Sequence, residues 1–301
     1  MTRILSIQSE VSYGFVGNSA VVFALRRMGV DVWPVNTVQF SNHTGYPSFR
    51  GPRLTPDDEA QIITGLDDLG VLAELDGVLT GYLSDPAMGS QIIDSVRLVM
   101  ERRPMTPYCC DPVLGDDDTG LYAAPGSVEL FREQALPLAR IITPNRFELS
   151  ALTGTRAMGL DEILQAAEQL LDAGPSLVLV TSVPSESLNP SRSTLHAEPV
   201  EPAPSGADHI GLLAVERGGA WLVTTPRLPG QFSGAGDLTS AIFFAHSLAG
   251  LNTPLALART ANSIHAVLTA TVRAGSRELE LVAAQRELAH PTAHYEAMRV
   301  R

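Results

Sequence analysis

Short β-branched runs alternate with longer stretches of helical periodicity from residue 3 to residue 181. The runs Arg3–Ile7, Val30–Trp33, Gly77–Thr80, Pro107–Cys110, Ile141–Thr143 and Leu177–Thr181 predict strands. Between them Ser19–Met28, Ala87–Arg102 and Leu160–Ala173 predict helices. In the last of these Leu160, Ile163, Leu164, Ala167 and Leu170 recur at helical spacing, and Gly174-Pro175 ends the pattern. An order of strand, helix, strand, helix predicts an α/β fold with a mostly parallel central sheet and helices on both faces. The stretch IGLLAVERGGAWLVTTP then predicts a β-hairpin turning at Arg217-Gly218-Gly219. Two further helices are predicted, around Pro254–Thr271 and Glu278–Leu288.

Polar clusters follow the predicted strands one after another. QSEVSYGFVGN comes after the first, NTVQFSNHTGY after the second and GYLSD after the third. CDPVLGDDD, TPNRFE and TS come after the fourth, fifth and sixth. In a parallel sheet the carboxyl ends of the strands share one edge, and ligands bind there. A ligand site on that edge is therefore the expectation. The segment 185–208 is rich in Pro and Ser and poor in apolar residues. It predicts a flexible loop inside one domain spanning 1–301, since strand pattern resumes directly after it. An inert insertion and a mobile cover over the site both fit that composition.

Charge and residue usage narrow the chemistry. The net charge is -12, which argues against nucleic-acid or anionic-membrane binding. All 21 basic residues are Arg, and Lys is absent. That excludes a Walker A phosphate loop and Schiff-base catalysis by lysine. The only two cysteines are neighbours, Cys109 and Cys110, in an apolar run. They are expected as core residues of a reduced, cytoplasmic protein. The N-terminus enters a strand pattern at once, with no signal-peptide architecture, and no apolar run is long enough to span a membrane.

The stretch FSGAGDLTSAIFFAHSLAG carries the strongest chemical signal. Gly234-Ala235-Gly236-Asp237 precedes an apolar helical pattern. A dinucleotide fingerprint would need a third glycine at Thr239, so that reading fails. Two readings remain. Asp237 can cap the helix. Alternatively the helix start, opened by the glycines, can face a transferring phosphoryl group while Asp237 accepts the proton of an attacking hydroxyl. On the same edge Asp111 ends an apolar strand and Glu148 follows in TPNRFE. Together they suffice for Mg²⁺, which takes one or two carboxylates plus waters and phosphates. Glu148 can equally be a first-turn acid complementing a helix dipole. Asp116, Asp117 and Asp118 fit a solvated acidic loop. Ser9, with Gly14 and Gly17 behind it, and Phe40, Ser41, His43, Thr44 and Tyr46 offer apolar faces and hydroxyls suited to a flat polar ring. His43 alone fits a structural hydrogen-bonding role. No His/Cys grouping has zinc spacing.

Taken together, ILSIQSEVSYGFVGNSA, VNTVQFSNHTGY, LTGYLSD, CDPVLGD, IITPNRFE, VTS and GAGD resemble pyridoxal kinases, a branch of the ribokinase-like superfamily. The resemblance covers nearly the whole chain. It implies ATP-dependent phosphorylation of the 5′-hydroxymethyl group of pyridoxal, pyridoxine or pyridoxamine. Carried over by position, Asp237 is the catalytic base, and Gly234, Ala235 and Gly236 form the anion hole. Ser9, Val16, Phe40, Thr44 and Tyr82 line the vitamin pocket. Asp111 and Glu148 organise Mg²⁺ and phosphates. Thr143, Thr181 and Ser182 serve nucleotide or cation contacts, and Phe232 lies beside the nucleotide. The resemblance also implies activation by K⁺ or Na⁺ and a homodimer. Sugar kinases of the superfamily typically carry Asp-Thr shortly before GAGD, where Gln231, Phe232 and Ser233 stand here. Hydroxymethylpyrimidine kinases typically begin with G-S-D-x-S-G-G-A-G, where QSEVSYGFVGN stands. A hydroxymethylpyrimidine kinase and a non-catalytic B6-binding protein on the same fold are the alternatives.

Overall fold

A computed structural model describes residues 1–184 and 208–301. All but the last residue of the Pro/Ser-rich stretch 185–208 lies outside the described residues. Six strands run parallel: β1 (Arg3–Tyr13), β2 (Asp31–Asn42), β3 (Gly77–Thr80), β4 (Tyr108–Cys110), β7 (Ile141–Ile142) and β8 (Leu177–Pro184). The hairpin β9 (His209–Glu216) and β10 (Gly219–Pro226) adds antiparallel to β8, and β11 (Met298–Arg299) closes that edge. The order across the sheet is β11-β10-β9-β8-β7-β4-β3-β1-β2. A separate two-stranded ribbon pairs β5 (Gly115–Asp116) with β6 (Gly120–Leu121). The hairpin turn is tighter than its sequence suggests: Gly219 already pairs with Glu216, leaving only Arg217-Gly218, with Gly218 at φ 98°.

The strands divide their side chains between two cores, as a period of two requires. Ile4, Cys109, Ile141, Leu177 and Leu179 face one side; Leu5, Cys110, Ile142, Val178 and Val180 face the other. The first side is covered by α1 (Asn18–Arg27), α7 (Ala235–Leu248) and α8 (Thr253–Ala274), with the short α9 (Gln285–Ala289) packed on α8 and α1. The second is covered by α2 (Pro56–Asp68), α3 (Pro86–Arg102), α4 (Ser127–Leu130), α5 (Arg146–Thr153) and α6 (Leu160–Ala173). Cys109 and Cys110 therefore point to opposite faces and are free and fully buried. Burial pushes both thiols up, Cys110 to about 12, so both are inert core residues.

Two expectations are corrected and one unforeseen helix is added. β1 and β2 do not stop at Ile7 and Trp33. They run on as a two-stranded ribbon past the end of β3, with Val11 opposite Phe40 and Tyr13 opposite Asn42. Their polar residues alternate with apolar ones because this ribbon has one wet side, and that alternation resembles a loop in a search for apolar runs. Second, residues 278–280 are irregular and 281–284 form a turn, so only Gln285–Ala289 is helical. Third, α2 carries a signal that periodicity alone passes over. Thr55 and Asp58 form a capping box, followed by Pro56 in the first turn.

Between α2 and α3, Glu59 is fully buried. Its Oε2 accepts from Gln91 and Ser95, while Oε1 has no partner. Burial raises its affinity for a proton above the usual 4.5. A carboxyl with a raised folded-state pKa favours the native state when protonated, so stability falls as pH rises above about 4.5. Glu59→Gln is expected to stabilise the fold by on the order of 1 kcal/mol at pH 8, with little effect at about pH 3. Denaturant melts at the two pH values check this.

Candidate active site

The helix α7 is apolar on every side and buried from Leu238 to Ala245, so it runs through the centre of its layer. Its start faces the carboxyl edge of the sheet. Gly234 is the N-cap at φ 85°, a left-handed conformation, and no side chain caps the helix. A Cβ at Gly234 would strike the backbone carbonyl of Phe15. By contrast Thr55, Asp85, Asn145 and Asn252 all cap their helices with side-chain oxygens. The Ala235 N–H turns back to the Phe232 carbonyl at 3.2 Å, and no side chain caps the rest of the first turn.

This bears on Asp237. It is not a cap. Its Oδ2 accepts from the Gly17 N–H of the loop after β1, at 2.8 Å. Burial raises its proton affinity, and the Gly17 bond and the charge of His43 lower it in part. His43 is itself oriented by the Gly45 N–H, which donates to Nδ1 at 3.1 Å. The loop after β2 therefore reaches to within electrostatic range of Asp237.

Beside Asp237 the outer ribbon carries its own small cluster. Val11, Val16, Val38 and Phe40 are buried together, and Tyr82 packs on them. Three expected pocket residues, Val16, Phe40 and Tyr82, are brought together here. Ser9 sits at an irregularity in β1, between Gln8 and Glu10, and Gly17 packs so closely on it that a Cβ would overlap its backbone and hydroxyl. Thr44 is exposed on the 43–46 turn.

On the other side of Asp237 lie the acids. Asp111, at the end of β4, is 6% exposed and accepts from Thr143 Oγ1 at 3.1 Å. Thr143 also shares a hydrogen bond with Ser240 of α7 at 2.8 Å. Burial, followed by repulsion from Asp237, pushes Asp111 up to about 7. Glu148 is 4% exposed, and both its oxygens are engaged: Oε1 by the Leu114 N–H at 3.0 Å and Oε2 by the Asn145 N–H at 2.8 Å. With Asn145 it forms a capping box for α5. Glu148 is therefore a helix-start acid and also a strap for the turn after β4. Burial, then the charge of Asp111, raises its proton affinity well above the usual range. Thr181 is buried beside Asn145, and its N–H donates to the Pro144 carbonyl. Ser182 is exposed at φ 58°, at an irregularity in β8 between Val180 and Val183. Phe232 packs instead against the cluster holding Phe15 and Phe23.

Two residues join the site without any motif to mark them. Tyr122 follows β6, and the charges of Glu148, Asp116, Asp237 and Asp111 add to burial in raising its hydroxyl pKa. Its ring is half-exposed, so it flanks the acidic side. Arg146 pairs with Asp117 at 2.7 Å and ties the β5–β6 ribbon to α5. Asp116 accepts from Asp118, Thr119 and the Thr119 hydroxyl, as a turn-maker.

A family model described as phosphomethylpyrimidine kinase matches residues 59–281. The chain is 45% identical over 298 residues to pyridoxal kinase PdxY of Rubrobacter xylanophilus, covering 99% of this chain and 97% of that one. The chain belongs to the pyridoxal kinase family. Among solved structures, pyridoxal kinase of Leishmania donovani in complex with ADP and pyridoxine matches with a TM-score of 0.85 and 30% identity over 99% of both chains. A putative phosphomethylpyrimidine kinase of Bacteroides thetaiotaomicron matches at 0.83 and 28%, over 99% of this chain and 98% of that one. The pyridoxal kinase fold is ribokinase-like, and the parallel sheet with its antiparallel edge agrees with it. Among the described residues, no helix is long and apolar enough to cross a membrane.

Proposed function

We infer that this chain phosphorylates pyridoxal, and the related vitamers pyridoxine and pyridoxamine, with ATP as the phosphoryl donor. The observation that carries the assignment of roles is the start of α7, without a side-chain cap, with Asp237 bonded to Gly17, the neighbour of Val16 in the cluster that also holds Phe40 and Tyr82. Asp237 is the base. It takes the proton of the 5′-hydroxyl as that oxygen bonds to the γ-phosphorus, and the bond from the γ-phosphorus to the ADP oxygen breaks. The N–H groups at Gly234 and Gly236 stabilise charge on the transferring group, joined by that of Ala235 once it leaves the Phe232 carbonyl. This arrangement needs no lysine.

Ser9 and Thr44 bond the polar edge of the pyridine ring, and Phe40 and Val16 cover its faces. Thr143, Thr181, Ser182 and Phe232 are proposed for nucleotide and monovalent-cation contacts. The donor set around Asp111 suits Mg²⁺ rather than a soft metal. Among the described residues no group of three His, Cys, Asp or Glu forms a metal cage, and Mg²⁺ needs only one or two carboxylates when phosphates supply the rest. Asp111, with Thr143 and Glu148 behind it, would hold Mg²⁺. Bound there, the ion would neutralise phosphate charge. The buried Asp111, repelled by Asp237, is a carboxylate that a cation would relieve. K⁺ or Na⁺ activation, homodimer assembly and a cytoplasmic location belong to the same proposal through the family resemblance.

The deciding assay is Mg²⁺-dependent ADP formation with pyridoxal, pyridoxine, pyridoxamine and a hydroxymethylpyrimidine offered separately. Turnover with the pyridine vitamers is expected to exceed that with the pyrimidine. A preference for the pyrimidine would replace this reading with hydroxymethylpyrimidine kinase activity, and binding of pyridoxal without ADP formation would replace it with a carrier role.

A further inference from the structure

Glu278 stands outside every motif considered so far, on the segment that follows the α8 C-cap Gly275. It is 9% exposed, and its backbone is held by Ser276, whose hydroxyl donates to the Glu278 carbonyl at 2.7 Å and accepts from its N–H at 3.2 Å. Its two carboxylate oxygens go to two different loops. Oε1 accepts from the Tyr46 hydroxyl at 2.5 Å, on the turn after β2. Oε2 accepts from the Phe15 N–H at 3.3 Å, on the turn after β1. Gly14, at φ 96°, is required beside it, because a Cβ there would overlap the carboxylate.

The neighbouring Arg277 reinforces one side. Its guanidinium stacks on the Tyr46 ring, 3.8 Å from the centroid, and donates to the Gly45 carbonyl at 3.0 Å. Tyr13, at the end of β1, meets the same Tyr46 ring edge-on with centroids 6.1 Å apart. Each of the two loops leads directly to Asp237. The 14–17 turn ends in the Gly17 N–H that bonds it, and the 43–46 turn carries His43, whose charge acts on it. One carboxylate thus spans loops 232 residues away in sequence from Tyr46 and 263 from Phe15.

We propose that Glu278, through its bridge from Tyr46 to Phe15, is a positioning residue that sets the distance between the two substrate loops and so the fit of the vitamer against Asp237. Both its carboxylate oxygens are taken up by the two loops. Its hydrogen bonds are made by a charged group whose backbone is pinned, so they resist the drift of either loop. The nucleotide side lies across Asp237, at Asp111 and Thr143, and shares no bond with this bridge. The effect is therefore confined to the vitamer. This inference rests on the site assignment made above.

The test uses the full-length enzyme with Tyr46→Phe and Glu278→Gln, alone and combined, and Asp237→Asn alongside. Tyr46→Phe removes one hydroxyl. Glu278→Gln keeps an acceptor for one loop and sets an amide N–H against the other. Each single variant is expected to raise KM for pyridoxal about five- to tenfold, with KM for ATP within about twofold of the parent. The double variant is expected to be no worse than the poorer single one, because both break the same bridge. Unchanged KM for pyridoxal in both single variants overturns the proposal. Equal losses toward both substrates with a matching fall in melting temperature also overturn it, since they mark a purely structural bond. If Asp237→Asn retains turnover, the site assignment itself falls and this inference with it; if only Asp237→Asn has an effect, the site stands and the bridge does not.

Discussion

Asp237→Asn is expected to fold, to bind pyridoxal and ATP, and to lose roughly 10²–10⁴-fold in kcat. The asparagine keeps a carbonyl oxygen where Asp237 accepts from Gly17, so the loop after β1 stays docked on α7. No cap is lost, because α7 has none to lose. What disappears is the one group placed to take the hydroxyl proton. Binding constants close to those of the parent would separate this loss from misfolding. The parent also has a diagnostic pH profile. Burial raises the Asp237 pKa above the usual 3.8, so the carboxylate is lost, and kcat with it, as pH falls through a value above that figure. The acid limb is expected to be missing from the residual activity of the variant. Single-turnover phosphoryl transfer measured across pH checks both statements, and a variant with near-parental kcat would remove Asp237 from the chemistry.

The parts of this site that depend on spacing were legible in the sequence. GAGD before an apolar helix, acids after β4 and β7, and a Ser/Phe/Thr mixture after β1 and β2 all fall on one edge once a parallel sheet is assumed. The choice between cap and base for Asp237 was not legible. Both readings need the same residue at the same helix start, and what removes the cap reading is tertiary: Gly234 is the N-cap, and the Asp237 carboxylate goes to Gly17, 220 residues away. Glu148 shows the opposite outcome. Its N-x-x-E spacing with Asn145 is a local signal for a capping box, and the box is there; that Oε1 also holds Leu114 is a tertiary fact. Tyr122 and Glu278 join the site from a half-exposed ribbon and from a turn, where no periodicity marks them. After Ile7 and Trp33 the strand pattern is hidden for a physical reason. A strand that is wet on one side alternates rather than clusters its apolar residues, and Val11, Val38 and Phe40 are spaced that way over their own small core.

Asp111→Asn is expected to trade activity for stability, and the two halves of the trade have one cause. The carboxyl is 6% exposed, lies close enough to Asp237 to be repelled by it, and is pushed up to about 7 against the opposing bonds from Ser240 and Thr143. A carboxyl with an unfolded-state value of 3.8 and a higher folded-state value binds its proton more tightly when folded. Its contribution to stability is therefore greatest below the lower value and declines as pH rises toward about 7, beyond which the penalty is constant. At pH 8 the protein without nucleotide or metal carries that penalty in full, on the order of 4 kcal/mol. Asparagine removes the charge, keeps an acceptor for Thr143, and is expected to raise the melting temperature more at pH 8 than at pH 5. The same charge is what would hold Mg²⁺ against the phosphates, so kcat/KM for ATP is expected to fall on the order of 10²–10³-fold. Melts at the two pH values, each with and without Mg²⁺ and ATP, give the discriminating readout. Mg²⁺ with ATP should stabilise the parent at pH 8 and should do so much less in the variant. A variant that is destabilised at pH 8 would mean that Asp111 is held in place for its hydrogen bonds. A variant that keeps full kcat/KM for ATP would mean that the charge is not used for the nucleotide. A functional carboxylate here should cost the free enzyme stability, because the burial and the nearby Asp237 that make it costly are also what would let a bound cation relieve it.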